Sequence, residues 1–345
     1  MASTCANSAF KRYLSRVFKS YKLNVLLTRH CSDGFSRLAI LAFSEQDPAP
    51  YFFNDKVKKI LTNITGLELE KAYKPKQMIP SDPEYKFVTS EELEQMIEKA
   101  KQRSKEKLQM PPVLQERKPI TEVLSRDPEL KGFENHKLIF TDVSYGLSDR
   151  DRLIVARDPD GTLRRASWEE RDRMTRLFFP KTKCKMTMPK MFEDEFLDKV
   201  LTKKNINRAC VQFEPDDPNY IRVTTKSYNH VDSTQSFDVL RSTRHFGPMA
   251  FYLTFYNKID NLILDMVQRE LIENITDLIQ LFYILHPEKK QSIEFSNQID
   301  FIRDFVKQFT NKPAYIIAAL QSYQQMQQQR LETSEGIKRA HGFTD

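Results

Sequence analysis

Hydrophobic residues recur at helical spacing along most of the chain, and the longest such pattern lies between residues 258 and 285. Its apolar positions follow the i, i+3, i+4 spacing of one helix face, and Pro287 ends the pattern. The members are Ile259, Leu262, Ile263, Met266, Val267, Leu271, Ile275, Leu278, Ile279, Phe282 and Leu285. The spacing predicts one long helix over 258–285. Shorter patterns predict helices near 296–309 and 313–330.

Two capping boxes mark further helix starts. In each box a hydroxyl residue lies three positions before a glutamate, and the two side chains accept hydrogen bonds from the free amide groups of the first helical turn. The pairs are Thr89 with Glu92 and Ser167 with Glu170. The second helix should end near Phe178. The buried stripe of the first helix is expected to comprise Leu93, Met96, Ile97 and Ala100.

Short runs rich in β-branched residues predict two β-hairpins. The first hairpin is predicted from Leu138–Val143 and Arg152–Arg157. The second is predicted from Ile206–Phe213 and Tyr220–Thr225, which flank a Pro-Asp-Asp-Pro turn. The predicted fold class is therefore α+β and predominantly helical, with two short β-hairpins and extended Pro-rich connectors at 72–87 and 110–136.

The distribution of charged, apolar, proline and glutamine residues divides the chain into four predicted parts. Residues 1–44 are a predicted mitochondrial transit peptide, and residues 45–136 hold N-terminal helices and extended connectors. Residues 137–310 form a central α+β core that includes the long helix. Residues 311–345 form a C-terminal helix and a Gln-rich polar tail.

The transit peptide is predicted from an amphipathic basic helix. Residues 1–44 carry seven Lys or Arg and one acid, and Phe10–Lys22 separates apolar from basic positions at 100° per residue. The alternative is a basic arm that stays on the chain and binds RNA or membrane.

Composition excludes several kinds of site. No two of the eight glycines are closer than six residues, so the P-loop, the dinucleotide-binding fingerprint and the nucleophile elbow are all impossible. The four cysteines lie at least 26 residues apart, so no C-x-x-C metal or redox pair exists, and the H-E-x-x-H motif is absent from the sequence. No apolar run approaches the ~20 residues of a membrane span. A Cys–His nucleophile whose partners meet only in space stays open.

Charge narrows the candidate RNA contacts. Of the formal net charge of +7, only +1 belongs to residues 45–345, so RNA contact requires a local patch. Residues 164–190 hold nine bases and three acids. The candidate RNA-binding residues are Arg164, Arg165, Lys181, Lys183, Lys185, Arg241 and Arg244. Arg173 and Arg176 are expected to pair with Glu169 and Asp172 instead.

Each candidate has an alternative structural role. In an extended segment Lys181, Lys183 and Lys185 would point the same way, which suits phosphates but equally suits an edge strand protected by lysine. Arg241 and Arg244, which flank Ser242-Thr243, could instead pair with acids.

Several segments resemble a known family. They are MPPVL at 110–114, FTDVSY at 140–145, GTLRRASWEERDRM at 161–174, QFEPDDPNYI at 212–221, DVLRSTRHFG at 238–247 and the whole of 258–287. They are similar to the metazoan family of mitochondrial small-ribosomal-subunit protein twenty-two, which has no bacterial counterpart. The resemblance covers roughly residues 53–325.

This resemblance implies a structural component of the small subunit of the mitochondrial ribosome, in the matrix. Its partners would be the small-subunit rRNA and neighbouring mitochondrial ribosomal proteins. The resemblance implies no enzyme activity and no cofactor, metal or small-molecule substrate. The alternative is a matrix RNA-binding assembly or translation factor that visits the ribosome transiently.

Overall fold

A computed structural model of the chain describes residues 47–68, 85–132, 135–197, 203–289 and 297–340. The α-helices, labelled α1 to α12, are Ala49–Phe52, Asp55–Thr65, Ser90–Lys107, Trp168–Phe178, Asp194–Leu197, Lys203–Gln212, Pro218–Ser233, Phe246–Phe255, Asp260–Gln268, Ile272–Leu285, Gln298–Phe309 and Pro313–Ala340. The strands β1 to β4 are Val123–Arg126, Leu138–Thr141, Ile154–Arg157 and Thr162–Arg165. Short 3₁₀ turns occupy Pro128–Leu130, Lys190–Phe192, Phe237–Val239 and Pro287–Lys289. The predominantly helical α+β class is confirmed. The predicted transit peptide lies outside the described residues.

The four strands form one antiparallel sheet in the order β1-β4-β3-β2. The first predicted hairpin is confirmed, with Leu138 opposite Arg157 and Thr141 opposite Ile154. Strands β1 and β4 were not predicted. The turn between β3 and β4 depends on Gly161, whose φ is 82° and where a Cβ atom would lie 2.0 Å from the Asp127 carbonyl oxygen.

Helix α4 packs against the small core of the sheet. Its N-cap is Ser167, and both halves of the predicted capping box with Glu170 are formed. Ile154, Ala156 and Ala166 are fully buried in a small core, against which Met174 of α4 packs. This small core therefore joins α4 to the sheet.

The second predicted hairpin is wrong, because both of its segments are helical. Residues 206–213 belong mainly to α6, and residues 220–225 lie inside α7. The Asp217 carboxylate caps α7 by accepting from the Asn219 amide, and Pro218 occupies the first helical position, where its missing N–H costs nothing. The apolar residues that suggested strands lie in a helical core of Phe192, Leu197, Ala209, Phe213, Tyr220 and Val223.

The predicted long helix 258–285 is two helices, α9 and α10. They are separated at Arg269–Leu271, where Glu270 has a φ of 62°. The side-chain spacing is nearly unchanged across the break, so periodicity did not reveal it. Helix α10 is the centre of the larger core and packs against α2, α8 and α11.

Helix α3 has the predicted capping box but not the predicted burial. Thr89 accepts from the Glu92 amide at 3.2 Å, and the Glu92 carboxylate accepts from the Thr89 amide at 3.0 Å. However, Leu93, Met96 and Ile97 are 49%, 54% and 40% exposed. The prediction of a buried stripe is therefore wrong in this part of the helix, and the apolar face points outward.

The C-terminal region confirms two predicted helices. Helix α11 matches the prediction near 296–309, and α12 runs to Ala340, beyond the predicted end at residue 330. Arg330 of α12 donates to both carboxylate oxygens of Glu270, at 2.6 and 2.8 Å. This ion pair joins the Gln-rich helix to the break between α9 and α10.

Candidate RNA- and protein-binding surfaces

Arg164 lies in β4 and its charge is used inside the fold. Its guanidinium donates to Asp158 Oδ2 at 2.8 Å and to Glu170 Oε2 at 2.9 Å. The hydrogen bond from Arg164, aided by Lys137 at 2.8 Å, lowers the pKa of Glu170 from 4.5 to about 2. The same bonds raise the pKa of Arg164. This arginine is a link between the sheet and α4.

The depressed pKa of Glu170 predicts a loss of stability in acid. The free energy gained from this carboxylate is fully present above pH 4.5 and is lost as the pH falls toward about 2. We expect Glu170→Gln, which keeps the capping hydrogen bond, to cost ~1–2 kcal/mol at pH 6 and much less at pH 2.5. Urea unfolding of both proteins at the two pH values measures this. An equal difference at both values would contradict the prediction.

Arg165 forms an exposed ion pair. Its Nε atom lies 3.2 Å from Glu122 Oε2, and the two side chains are 48% and 56% exposed. Such a pair contributes little to stability, typically ~0–1 kcal/mol. Arg165 therefore has an acidic neighbour but remains accessible to solvent.

The three alternating lysines do not lie in an extended segment. Residues 181–184 form a turn in which Lys183 has a φ of 70°, so the predicted common direction and the alternative edge strand are both wrong. The Gln212 side chain fixes this loop by bonding the amide and the carbonyl of Lys185, at 3.0 and 2.8 Å. The position of the loop is thus set by α6.

The lysines also differ in their partners. Lys181 contacts Asp149 at 2.9 Å and Glu214 at 3.0 Å, and these acids outweigh partial burial and raise its pKa. The Lys183 and Lys185 side chains are exposed and form no ion pair within the described part of the chain. They are the more available cations of this loop.

Arg241 and Arg244 point into the protein. Arg241 is 5% exposed and its Nη2 atom bonds Asp265 Oδ2 at 2.5 Å, while burial lowers its pKa. Arg244 is half-buried, and its Nε atom donates to Asn207 Oδ1 at 3.2 Å. Arg241 therefore joins its loop to α9, and Arg244 joins the same loop to α6.

The sequence did not identify Arg117 as an anchor. Its Nη2 atom bonds Asp172 at 2.9 Å and Asp217 at 2.8 Å, and its guanidinium lies 4.8 Å from the Trp168 ring centre. The Trp168 indole N–H donates to the Lys118 carbonyl at 2.7 Å. These contacts bind the extended segment before β1 to α4 and α7, through sequence separations that no local pattern reveals.

Arg117 also changes the expected pairing on α4. Since Asp172 pairs with Arg117, Arg176 instead donates to the carbonyls of Met186 and Gln212, each at 3.3 Å. Arg173 is exposed without an ion pair among the described residues, and it borders the same cleft as Met186. Arg173 thus adds a cation beside the lysine loop.

Together these residues define what we call the basic patch. It comprises Arg173, Lys183 and Lys185, which are all exposed and form no ion pair with a described acid. Guanidinium and ammonium groups that lack protein acids are available to phosphates.

Comparison with known proteins decides the family. The family model of mitochondrial 28S ribosomal protein S22 matches residues 50–287. The chain belongs to this family. The small ribosomal subunit protein mS22 of Mus musculus is 42% identical over 291 residues, which cover 82% of this chain and 81% of that protein. The mS22 protein of Bos taurus is 42% identical over 284 residues, which cover 80% and 79%.

Membership in the S22 family confirms the resemblance seen in the sequence. It identifies a mitochondrial ribosomal protein of the small subunit rather than an enzyme. The matched range includes the sheet, α4 and the basic patch. Helices α11 and α12 lie beyond it.

Membrane-spanning helices and clusters of metal-ligating side chains are both absent from the described residues. No helix there is both long and apolar enough to cross a bilayer. No three His, Cys, Asp or Glu side chains among those residues are grouped to hold a metal ion.

Proposed function

We propose that this protein is a permanent structural component of the mitochondrial small ribosomal subunit and supports mitochondrial translation by binding rRNA and neighbouring ribosomal proteins. The observation that carries the proposal is the family match over residues 50–287. An S22 protein whose helices share a buried core and are joined by internal ion pairs is suited to act as a scaffold.

The rRNA contact is proposed at the basic patch. Its three cations have no described acid to neutralise them, and Gln212 holds the loop of Lys183 and Lys185 against α6. Arg165 and Lys181 are both about half exposed, and each can exchange its acidic partner for a phosphate. Arg164, Arg241 and Arg244 are assigned to the fold, because their charged groups bond other parts of the chain.

Charge reversal tests this contact. We expect Lys183→Glu with Lys185→Glu to weaken association with the small subunit about tenfold, since reversing two phosphate contacts is worth ~1.4 kcal/mol. The matched control is Lys56→Glu with Lys59→Glu, which makes the same change of charge at two exposed lysines on α2. Sucrose-gradient sedimentation of mitochondrial lysate measures the bound fraction of each variant.

The outcomes separate the parts of the proposal. A permanent component should remain with the small subunit in high salt, whereas phosphate contacts alone weaken steeply as salt rises. A wild-type protein found mainly free in the matrix would contradict the scaffold and favour a transient factor. Equal loss of both double variants would contradict the basic patch while leaving the scaffold intact.

A further inference from the structure

Helix α3 presents apolar side chains to solvent over slightly more than one turn. Leu93, Met96 and Ile97 occupy one face at three- and four-residue spacing and are 49%, 54% and 40% exposed. The apolar residues just before the helix are also exposed, Phe87 by 105% and Val88 by 43%. Scattered apolar residues on a surface are common, but a continuous group of this kind marks an interaction site.

The helix is joined to the rest of the protein at its other end. Ser104 is fully buried, and Ala100 is half-buried. The same face therefore changes from buried near the C-terminus to exposed near the N-terminus. The capping box keeps the first turn helical although few tertiary contacts support it. We call the exposed residues Leu93, Met96 and Ile97 the α3 stripe.

Charge around the α3 stripe distinguishes between possible occupants. Residues 90–100 contain four glutamates and one lysine. Glu91 and Glu94 are exposed and form no ion pair with a described base, and Glu98 lies 3.9 Å from Lys101 in an exposed contact. RNA phosphates would be repelled here. A protein segment with apolar side chains and flanking Lys or Arg can pack its apolar side chains on the stripe. Its basic side chains can then pair with the glutamates.

We propose that the α3 stripe is the docking site for a neighbouring protein whose contact segment is apolar and basic. This rests on the proposed function, because the neighbour would be another protein of the same particle. The helix would enter an apolar groove with Leu93, Met96 and Ile97 as anchors, in the manner of other helix-in-groove complexes. The glutamates beside them would set the orientation of the partner.

Site-specific photocrosslinking identifies the occupant. A photoreactive residue replaces Met96 in the full-length protein, small subunits are purified from mitochondria, and the crosslinked peptides are sequenced. The matched control places the same residue at exposed Gln102, on the opposite side of α3. We expect a crosslink from position 96 to a basic segment of another protein, and none to that segment from position 102.

The acids provide the second test. We expect Glu91→Lys with Glu94→Lys to reduce that crosslink about tenfold. Leu93→Ala with Ile97→Ala should reduce it similarly while leaving the melting temperature within ~2 °C, because both side chains are exposed and Ala favours helix.

Several results would overturn the inference. They are a crosslink to rRNA, a crosslink to residues 69–84 of the same chain, no crosslink, or a protein crosslink insensitive to the charge reversal. Sedimentation of the wild-type protein with the small subunit in the same preparation tests the proposed function independently. Its absence would refute the proposed function, and its presence with any of these results would refute only the docking site.

Discussion

Replacing Phe282 by Ala is expected to lower the free energy of unfolding by ~3–5 kcal/mol. Phe282 is fully buried on α10, and its ring centre lies 5.0 Å from that of Phe305 and 5.4 Å from that of Phe309 on α11. Removing the ring leaves a cavity at the junction of these helices, because the surrounding backbone can relax only partly. Equilibrium unfolding in urea measures the loss.

A matched phenylalanine provides the control. Phe178 at the end of α4 is 50% exposed, so Phe178→Ala should cost less than about 1 kcal/mol. Similar losses for the two variants would mean that α10 and α11 are not joined through Phe282. The comparison thus tests the centre of the core, which sequence periodicity identified correctly as apolar.

The second large effect is expected at Arg241. Arg241→Ala leaves the buried Asp265 carboxylate with the half-exposed Arg269, at 3.0 Å, as its one ionic partner among the described residues. Breaking a buried ion pair on one side typically costs ~3–5 kcal/mol, and the remaining pair with Arg269 should reduce this to ~2–3 kcal/mol. Thermal unfolding followed by circular dichroism measures the change.

Arg165→Ala is the control for Arg241. Both arginines were candidate RNA contacts, but the ion pair of Arg165 is exposed and should contribute less than about 1 kcal/mol. If Arg241 contacted rRNA instead of supporting the fold, Arg241→Ala would reduce association with the small subunit without changing the melting temperature. That result would restore Arg241 to the candidate RNA surface.

Local chemistry determined which elements could be predicted. The two capping boxes define the starts of α3 and α4, because hydroxyl and carboxylate groups satisfy amides only three residues apart. Asp217 followed by Pro218 is a comparable signal for the start of α7, because Asp217 is its N-cap and Pro218 its first helical residue. The β-branched residues after it favoured a strand, but burial in a helical core overrode that preference.

Other features had no local signal. The break at Glu270 contains neither glycine nor proline, and its ion pair with Arg330 joins residues far apart in sequence. The same limitation applies to the candidate site. Arg164 was predicted to be available to RNA, but Asp158 and Glu170 approach it only after the sheet and α4 have packed together.

Burial could not be predicted for α3 for a related reason. An apolar stripe has the same spacing whether it faces the core of its own chain or the surface of another protein. Leu93 and Ile97 therefore suggested a core helix, and only the exposed fractions distinguish the two cases.

Trp168 makes one junction of this protein observable by spectroscopy. It is the single tryptophan of the chain, and its ring lies beside the Arg117 guanidinium while its N–H bonds the Lys118 carbonyl. Intrinsic fluorescence excited at the indole band therefore reports on the attachment of that extended segment to α4, without an added label. A ligand or partner that loosens this junction would change the emission even if the helical core remained intact.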